Sequence, residues 1–440
     1  MNPDVDHLLA EHDSQLRGRT PRFAPLGAVT EVDGPVVRTH YGTHGTVDFR
    51  GAPDADLADL IRRQQAAFAA RAEPVEWRVF GHDPAGVAAH LLDAGFAPGW
   101  LRPVLICAID EVAVGRPLPA GQRVRDFAYG DDALLPEIRA MAERSSPHLK
   151  TLAELEADGG SQHWDRNLLI LETDGRMRAA AWAEFVGETQ FVAIGGLTAD
   201  HPAFLAGWID WTARRRDYPG RQAGSDSRYF VAEADGDLRT MLVDQGFQQV
   251  TTVQTYHWAP PGPTMRMRPV RRVDGDPHDE LVMERFAARW EFPPQTPDHG
   301  LVEPADSVTW HLAAIDGDDS LVGELHRIIE RGLRSCTRPG ERVYALNPGT
   351  QGYHFDPRLV GRPGQPLTPG PAYPDQCEYR VYTTGDIRLG TFGDPWERSL
   401  CVFGVDLLAK IEPDLDVLLG PVLRRGGQNV ENSWTFDPPR

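Results

Sequence analysis

Of the side chains able to exchange protons in one stretch, 167–258, four are candidates for chemistry: Glu184, Glu233, Asp235 and Tyr256. A carboxylate can take a proton from an ammonium group directly or through a water, and a phenol can return one to a leaving atom. Each type also has a structural use. Glu184, between Ala183 and Phe185, suits the wet face of a half-buried strand; Glu233 and Asp235 suit a turn and a helix N-cap; Tyr256 suits a strand interior. His148 and His163 lie in polar segments and could bind or deprotonate an amine, although a lone loop histidine is more often simply solvated.

The elements that must position these residues follow from hydropathy period and turn residues. Strands are expected at 168–171, 178–185 and 190–198, turned by Asp174-Gly175 and Gly187-Glu188 into two hairpins. A helix is expected over 204–214, because Leu205, Trp208, Ile209 and Thr212 share one face. A strand at 229–232, a helix at 237–244, the dipeptide Gly246-Phe247 and a strand at 250–258 complete the stretch.

Part of this order occurs twice. The segments WRVFGHDPAGVAAHLLDAGFAPGWLRPVLICAI and RYFVAEADGDLRTMLVDQGFQQVTTVQTYHW both read as strand, acidic turn, helix, Gly-Phe and strand. In the first copy these are a strand at 75–80, a helix ending at Asp93, Gly95-Phe96 and a strand at 104–108. A strand at 47–50 and a helix over 55–71, with Leu57, Leu60, Ile61 and Phe68 on one face, precede them. Tandem duplication is the simplest account: a reduced module at 1–115 and a fuller one at 120–260, joined near 117–122. The segment 125–144 is expected as loop and helix. After the 47–50 strand, Gly51-Ala52-Pro53-Asp54 leads into acidic residues that would repel a phosphate, so the first module is expected to be structural.

The β-β-β-α-β-α-Gly-Phe-β order of 167–258 resembles the core of the GNAT superfamily of N-acetyltransferases, as does the wording of Gly195-Gly196-Leu197-Thr198 and of TTVQTYHW at 251–258. The resemblance implies an α/β fold of two tandem mixed-sheet modules, acetyl-CoA or another acyl-CoA as cofactor, and a small-molecule amine as acceptor. It implies that the backbone of Ile194, Gly195, Gly196, Leu197 and Thr198 holds the acyl carbonyl. The segment carrying Ala203 and Ala206 would lead the pyrophosphate to a helix N-terminus. Asp235 would stand where the family often places a polar contact to the cofactor. Glu184 and Glu233 then become candidate bases and Tyr256 a candidate acid toward the thiolate. The phosphate loop departs from the family: Pro202-Ala203-Phe204-Leu205-Ala206-Gly207 lacks the glycine that permits close backbone approach, and Leu242 replaces a frequent tyrosine acid. The alternative is a degenerate scaffold that binds a ligand or partner without acyl transfer.

Prolines at 260, 261 and 263 end the last strand and open a linker. Beyond it a separate α+β domain is expected at 271–440, with helices at 279–290, 321–336 and 401–411 and strands at 307–312, 342–346, 378–383 and 387–391. The phrases SVTW at 307–310, CTRPGE at 336–341, and FGDPWE at 392–397 followed by LCVFG at 400–404 resemble the DUF2716 family, whose function is unknown. Relatives usually carry Asp-Trp-Gln-His after the Tyr-Ala-Leu strand; here Asn347-Pro348-Gly349-Thr350 stands there. Glu397 is expected to cap a helix.

The net charge of -19 opposes phosphate backbones, which argues against nucleic acid as a partner. Aminoacyl-tRNA as an alternative acyl donor is disfavoured for the same reason. Only Lys150 and Lys410 are lysines, a bias that carries no mechanism. No apolar run of signal-peptide or membrane-spanning length occurs, and Cys107, Cys336, Cys377 and Cys401 are scattered without metal-ligand spacing, so free thiols, no metal and a cytoplasmic location are expected.

Overall fold

The computed structural model of the chain describes residues 5–19, 26–51, 56–112, 118–127, 134, 136–138, 140, 166–186, 188–195, 207, 227–273, 277–292, 301–346, 352–370, 372–374 and 378–430. The expected helix over 204–214 (apart from Gly207), His148, His163 and the segment 347–350 lie outside these residues. The chain divides into two compact units, Met1–Met267 and Arg268–Arg440.

The first unit opens with α1 (Val5–Gln15). The first repeat follows as β1 (Val29–Asp33), β2 (Val36–His40), β3 (Gly45–Phe49), α2 (Leu57–Ala69), β4 (Val75–Phe80), α3 (Val87–Asp93) and β5 (Ala97–Ala108). The hairpin β1–β2 adds two strands to those expected; its Asp33-Gly34 turn, with Gly34 at φ 59°, is the sequence signal for it. The second repeat comprises β6 (Gln122–Asp126), β7 (Arg166–Thr173), β8 (Arg176–Phe185), β9 (Phe191–Gly195), β10 (Tyr229–Glu233), α4 (Gly236–Asp244) and β11 (Gln248–Trp258). Residues 125 and 126, expected as loop, are strand, because β6 extends the ladder on β7. β5 begins well before the expected residue 104. Its prolines are accommodated where the β5–β11 ladder shifts register, between Gln249 and Thr251 and between Gln254 and Tyr256.

All these strands form one mixed sheet in the order β1-β2-β3-β4-β11-β5-β10-β9-β8-β7-β6. The last strand of each repeat lies in the other's half: β11 pairs with β4, β5 pairs with β10, and the two exchanged strands pair with each other. The repeats are therefore separate in sequence but interlocked in space.

The Gly-Phe dipeptides have the same job in both. Gly95 (φ 85°) and Gly246 (φ 103°) adopt the left-handed conformation that ends a helix, and the next N–H donates back, Phe96 to Leu91 and Phe247 to Leu242. Each phenylalanine ring is then buried under its own helix. On this face Phe96 joins Val47, Trp77, Leu91 and Tyr256 in the first half, while Phe247 joins Leu105, Ala181, Ile194, Phe230 and Leu242 in the second. On the opposite face Leu8 of α1 packs on Phe80, Ile106, Phe191, Val231 and Val253, drawn from both repeats. Burial of one such leucine is worth about 1.5–3 kcal/mol.

The second unit contains β12 (Val270–Val273), α5 (Pro277–Trp290), β13 (Ser307–His311), α6 (Asp319–Cys336), β14 (Val343–Leu346), β15 (Gly352–Phe355), β16 (Arg380–Thr384), β17 (Gly390–Asp394), β18 (Ser399–Phe403), α7 (Val405–Leu419), β19 (Val422–Arg425) and β20 (Gln428–Asn429). Its sheet runs β12-β15-β14-β16-β17-β18-β13-β19-β20. α6 and α7 cover one face through Leu325, Ile329, Leu407 and Ile411; α5 covers the other through Phe286 and Trp290. Residues 401–403, expected to begin a helix, are strand, and Gly404 at φ 99° separates them from α7. Glu397 accordingly caps no helix. It lies in the β17–β18 turn, accepts from Ser399 Oγ at 2.7 Å and pairs with Arg424, which also donates to Glu303 at 2.9 Å.

Candidate functional site

Strands β9 and β10 run parallel, in register from Phe191↔Tyr229 to Ile194↔Ala232. Their pairing stops there although both continue on their outer sides, Gly195 with Trp182 of β8 and Glu233 with Val104 of β5. A gap thus opens in the sheet after Ile194, and Glu233 is the first residue of β10 beyond it. Gly195 is required by packing: a Cβ there would come within 2.5 Å of the Trp182 indole.

Glu233 belongs to a polar stripe across the four central strands. Strand alternation places it on the α1 face, as the side chains of Tyr229 and Val231 pack there with Leu8. Arg78 of β4 reaches Glu233 and forms an ion pair with it, while Thr255 of β11 stands opposite Arg78 in the ladder. Arg102 of β5 meets Asp235 at 3.4 Å, its guanidinium 4.8 Å from the centre of the Trp100 ring. Burial lowers the pKa of Arg102, and Asp235 acts in the opposite sense. His257 adds a contact to Glu76 at 3.8 Å and one to Thr255 Oγ at 3.2 Å. Close approach at this point needs Gly99, where a Cβ would lie 2.3 Å from Thr255 Oγ1. Nothing in the sequence points to these arginines, because only the strand exchange carries Arg78 and Arg102 to the end of β10.

The other expected residues are placed as follows. Asp235 occupies the N-cap position of α4 but its side chain makes no capping bond; it turns to Arg102 instead. Glu184 lies on β8 opposite Ala193, on the same face as Trp182. It is separated from Glu233 by β9, about 10 Å across the sheet, with Trp182 level with Glu233. Tyr256 is buried on the other face, in the core of the first repeat, its hydroxyl donating to Gln254 at 3.4 Å. The structure does not bring Tyr256 to Glu233. Ile194 and Gly195 border the gap, whereas Gly196, Leu197, Thr198, Ala203 and Ala206 lie outside the described residues.

The first repeat has an equivalent gap, closed by its own chain. Parallel pairing of β3 and β4 ends at Asp48↔Arg78. The Arg50 N–H donates to Pro35 on the β2 side, which turns the Phe49 carbonyl toward β4, and Arg17 donates to that carbonyl. Arg17 also binds Asp83 at 2.5 Å, the two side chains being 5% and 2% exposed. Gly18 N–H donates to Asp48 at 2.7 Å.

Among the described residues no group of His, Cys, Asp and Glu is arranged to hold a metal ion, and no helix is long and apolar enough to cross a membrane.

The model of the family described as "Protein of unknown function (DUF2716)" matches residues 275–408. The uncharacterized protein YxiI of Bacillus subtilis (strain 168) is 28% identical over 99 residues, which is 22% of this chain and 60% of that relative. A GCN5-related N-acetyltransferase from Kribbella flavida superposes on 59% of this chain and 96% of its own, at 15% identity and a TM-score of 0.40. For a tandem GNAT protein from the clavulanic acid biosynthesis pathway the values are 59%, 95%, 11% and 0.39. For a GCN5-related N-acetyltransferase from Sphaerobacter thermophilus they are 60%, 96%, 13% and 0.38. The chain is thus similar to GNAT proteins over its N-terminal part and to the DUF2716 family over the later, separate unit.

Proposed function

We propose that the first unit is an acyl-CoA-dependent N-acyltransferase, most simply an acetyltransferase, acting on a small amine at the gap between β9 and β10. The observation that carries this reading is the end of parallel pairing at Ile194↔Ala232, with Glu233 immediately beyond it. The gap suits an extended thioester arm, since Gly195 does not pair with Glu233; Ile194 and Gly195, with Gly196, Leu197 and Thr198 next in sequence, are the residues that would hold it. Bound acyl-CoA would supply an activated carbonyl, to which the neutral amine nitrogen bonds as the C–S bond breaks; the second proton of that nitrogen goes, through water, to the departing thiolate.

Glu233 takes the proton from the incoming ammonium, directly or through water, and passes it to solvent. Arg78 fixes the carboxylate and keeps it beside the gap. Glu184, a strand away, is the second candidate base, and Asp235 lines the approach. Tyr256, buried in the other core, is left without a role in proton return.

The test is titration of the full chain with acetyl-CoA by calorimetry, followed by a screen of amines for thiol release. Saturable binding at one site per chain is expected. No heat at millimolar acetyl-CoA would overturn the reading and leave the alternative, a ligand-binding scaffold without acyl transfer.

A further inference from the structure

The stripe contains more charge than proton transfer requires, and its arrangement points to the kind of amine it takes. The antiparallel ladder joins Glu233 to Val104, and the next contact, Ala234 N–H to the Pro103 carbonyl at 3.2 Å, continues it. Arg102 and Asp235 consequently face each other one step farther along, beside Glu233. Arg102 is 8% exposed and backed by Trp100, whereas Asp235 is 66% exposed and 3.4 Å from it. The contact between this buried guanidinium and Asp235 is long and its carboxylate wet, while the neighbouring Arg78–Glu233 pair is close and half-buried. Such a contact is easily exchanged, because a carboxylate docking in the guanidinium plane gains two parallel hydrogen bonds that the long contact lacks.

We propose that the acceptor is a short aminocarboxylate: its carboxylate replaces Asp235 on Arg102, and its ammonium sits between Glu233 and the released Asp235. The spacing follows from the fold, since Arg102 is on the strand next to Glu233, two rungs beyond it and so on the same face. The role as acceptor rests on the acyltransferase reading; the binding does not.

Saturation-transfer NMR on the full chain distinguishes the two. The probes are the common α-amino acids, each compared with its methyl ester and its decarboxylated amine, with thiol release from acetyl-CoA measured in parallel. At least one amino acid is expected to bind roughly tenfold more tightly than its ester and its decarboxylated amine, a difference of 1.4 kcal/mol. Arg102→Ala is expected to remove that preference, and Arg102→Lys to weaken it. The ester comparison in the unaltered chain stands even if Arg102→Ala fails to fold. Equal binding of ester and acid, or no binding of any amino acid, overturns the proposal. Arg102-dependent binding without thiol release keeps the proposal and rejects the acyltransferase. Thiol release with equal preference for decarboxylated amines does the reverse.

Discussion

The two gaps in the first unit have the same ladder and opposite fates. One position past the last parallel pair stands Phe49 in the first repeat and Gly195 in the second. The Phe49 carbonyl is taken by Arg17, whose charge is neutralised by buried Asp83, so the chain has sealed that gap with an ion pair. At Gly195 the side-chain space is used by Trp182, and the parallel pairing with β10 ends one residue earlier, at Ile194. The residue fourteen positions before each Gly-Phe phenylalanine shows the same divergence. It is His82 in the first repeat, tied to Asp13 at 2.7 Å and Thr251 at 2.9 Å, and Glu233 in the second, tied to Arg78 across the sheet. The two halves share a frame, and they differ in what fills the gap.

The largest expected effect breaks the interlock itself. A chain of residues 120–267 alone loses β5, and with it Leu105 and Cys107 from its core and the partner of β10. We expect no cooperative melting transition by circular dichroism. In the whole chain, burial together with the nearby Glu111 carboxylate pushes the Cys107 thiol up to about 12, so it should resist a thiol reagent at pH 8 until global unfolding. Rapid labelling of native Cys107 would show that β5 is loosely held and the exchange dispensable.

Glu233→Gln tests the division of labour. It should lower kcat for thiol release by about 10²–10⁴-fold, whereas His82→Gln, at the matching position, should leave kcat unchanged. Equal losses would contradict the assignment of chemistry to the second gap alone.

Arg17→Ala opens the sealed gap and leaves Asp83 buried without its charge partner. Destabilisation of about 3–5 kcal/mol is expected in urea titrations. Turnover at the second gap should persist under conditions where the variant is folded.

The smallest effect is on pH dependence. Burial raises the pKa of Asp13, but the His12 hydrogen bond and the charges of His82 and Arg17 outweigh it, and the net shift is downward. Its contribution is therefore present above the unfolded value, near 3.9, and is lost as pH falls through the lower folded value. At 34% exposure the gain is under about 1 kcal/mol after solvent screening. Asp13→Asn should flatten the acid limb of a stability–pH curve by that amount; an unchanged limb would show that the Asp13 contacts to His82 and Arg17 add nothing to stability.

Local chemistry settled much of this protein from sequence. Gly-Phe after each helix and Asp174-Gly175 between β7 and β8 announce their own conformations, because a left-handed glycine and a tight turn are properties of neighbouring residues. The β1–β2 hairpin was not among the expected strands, although Asp33-Gly34 carries its turn signal. By contrast, the strand running on through Pro98 and Pro103 depends on register shifts in its partner β11. The later start of the helix expected from residue 401 depends on β18 pairing with β13 and β17, which holds residues 401–403 as strand before α7 begins at Val405.

The candidate site divides in the same way. Glu233 and Asp235 could be singled out as acids near a turn, yet their partners could not, for Arg78 and Arg102 lie far away in sequence and in the other repeat. Tyr256, attractive by type, was removed from the site by strand parity. Sequence determined which residues could move a proton; only the exchange of β5 and β11 decided which charges face them, because pairing between distant strands is fixed by the fold and not by neighbours along the chain.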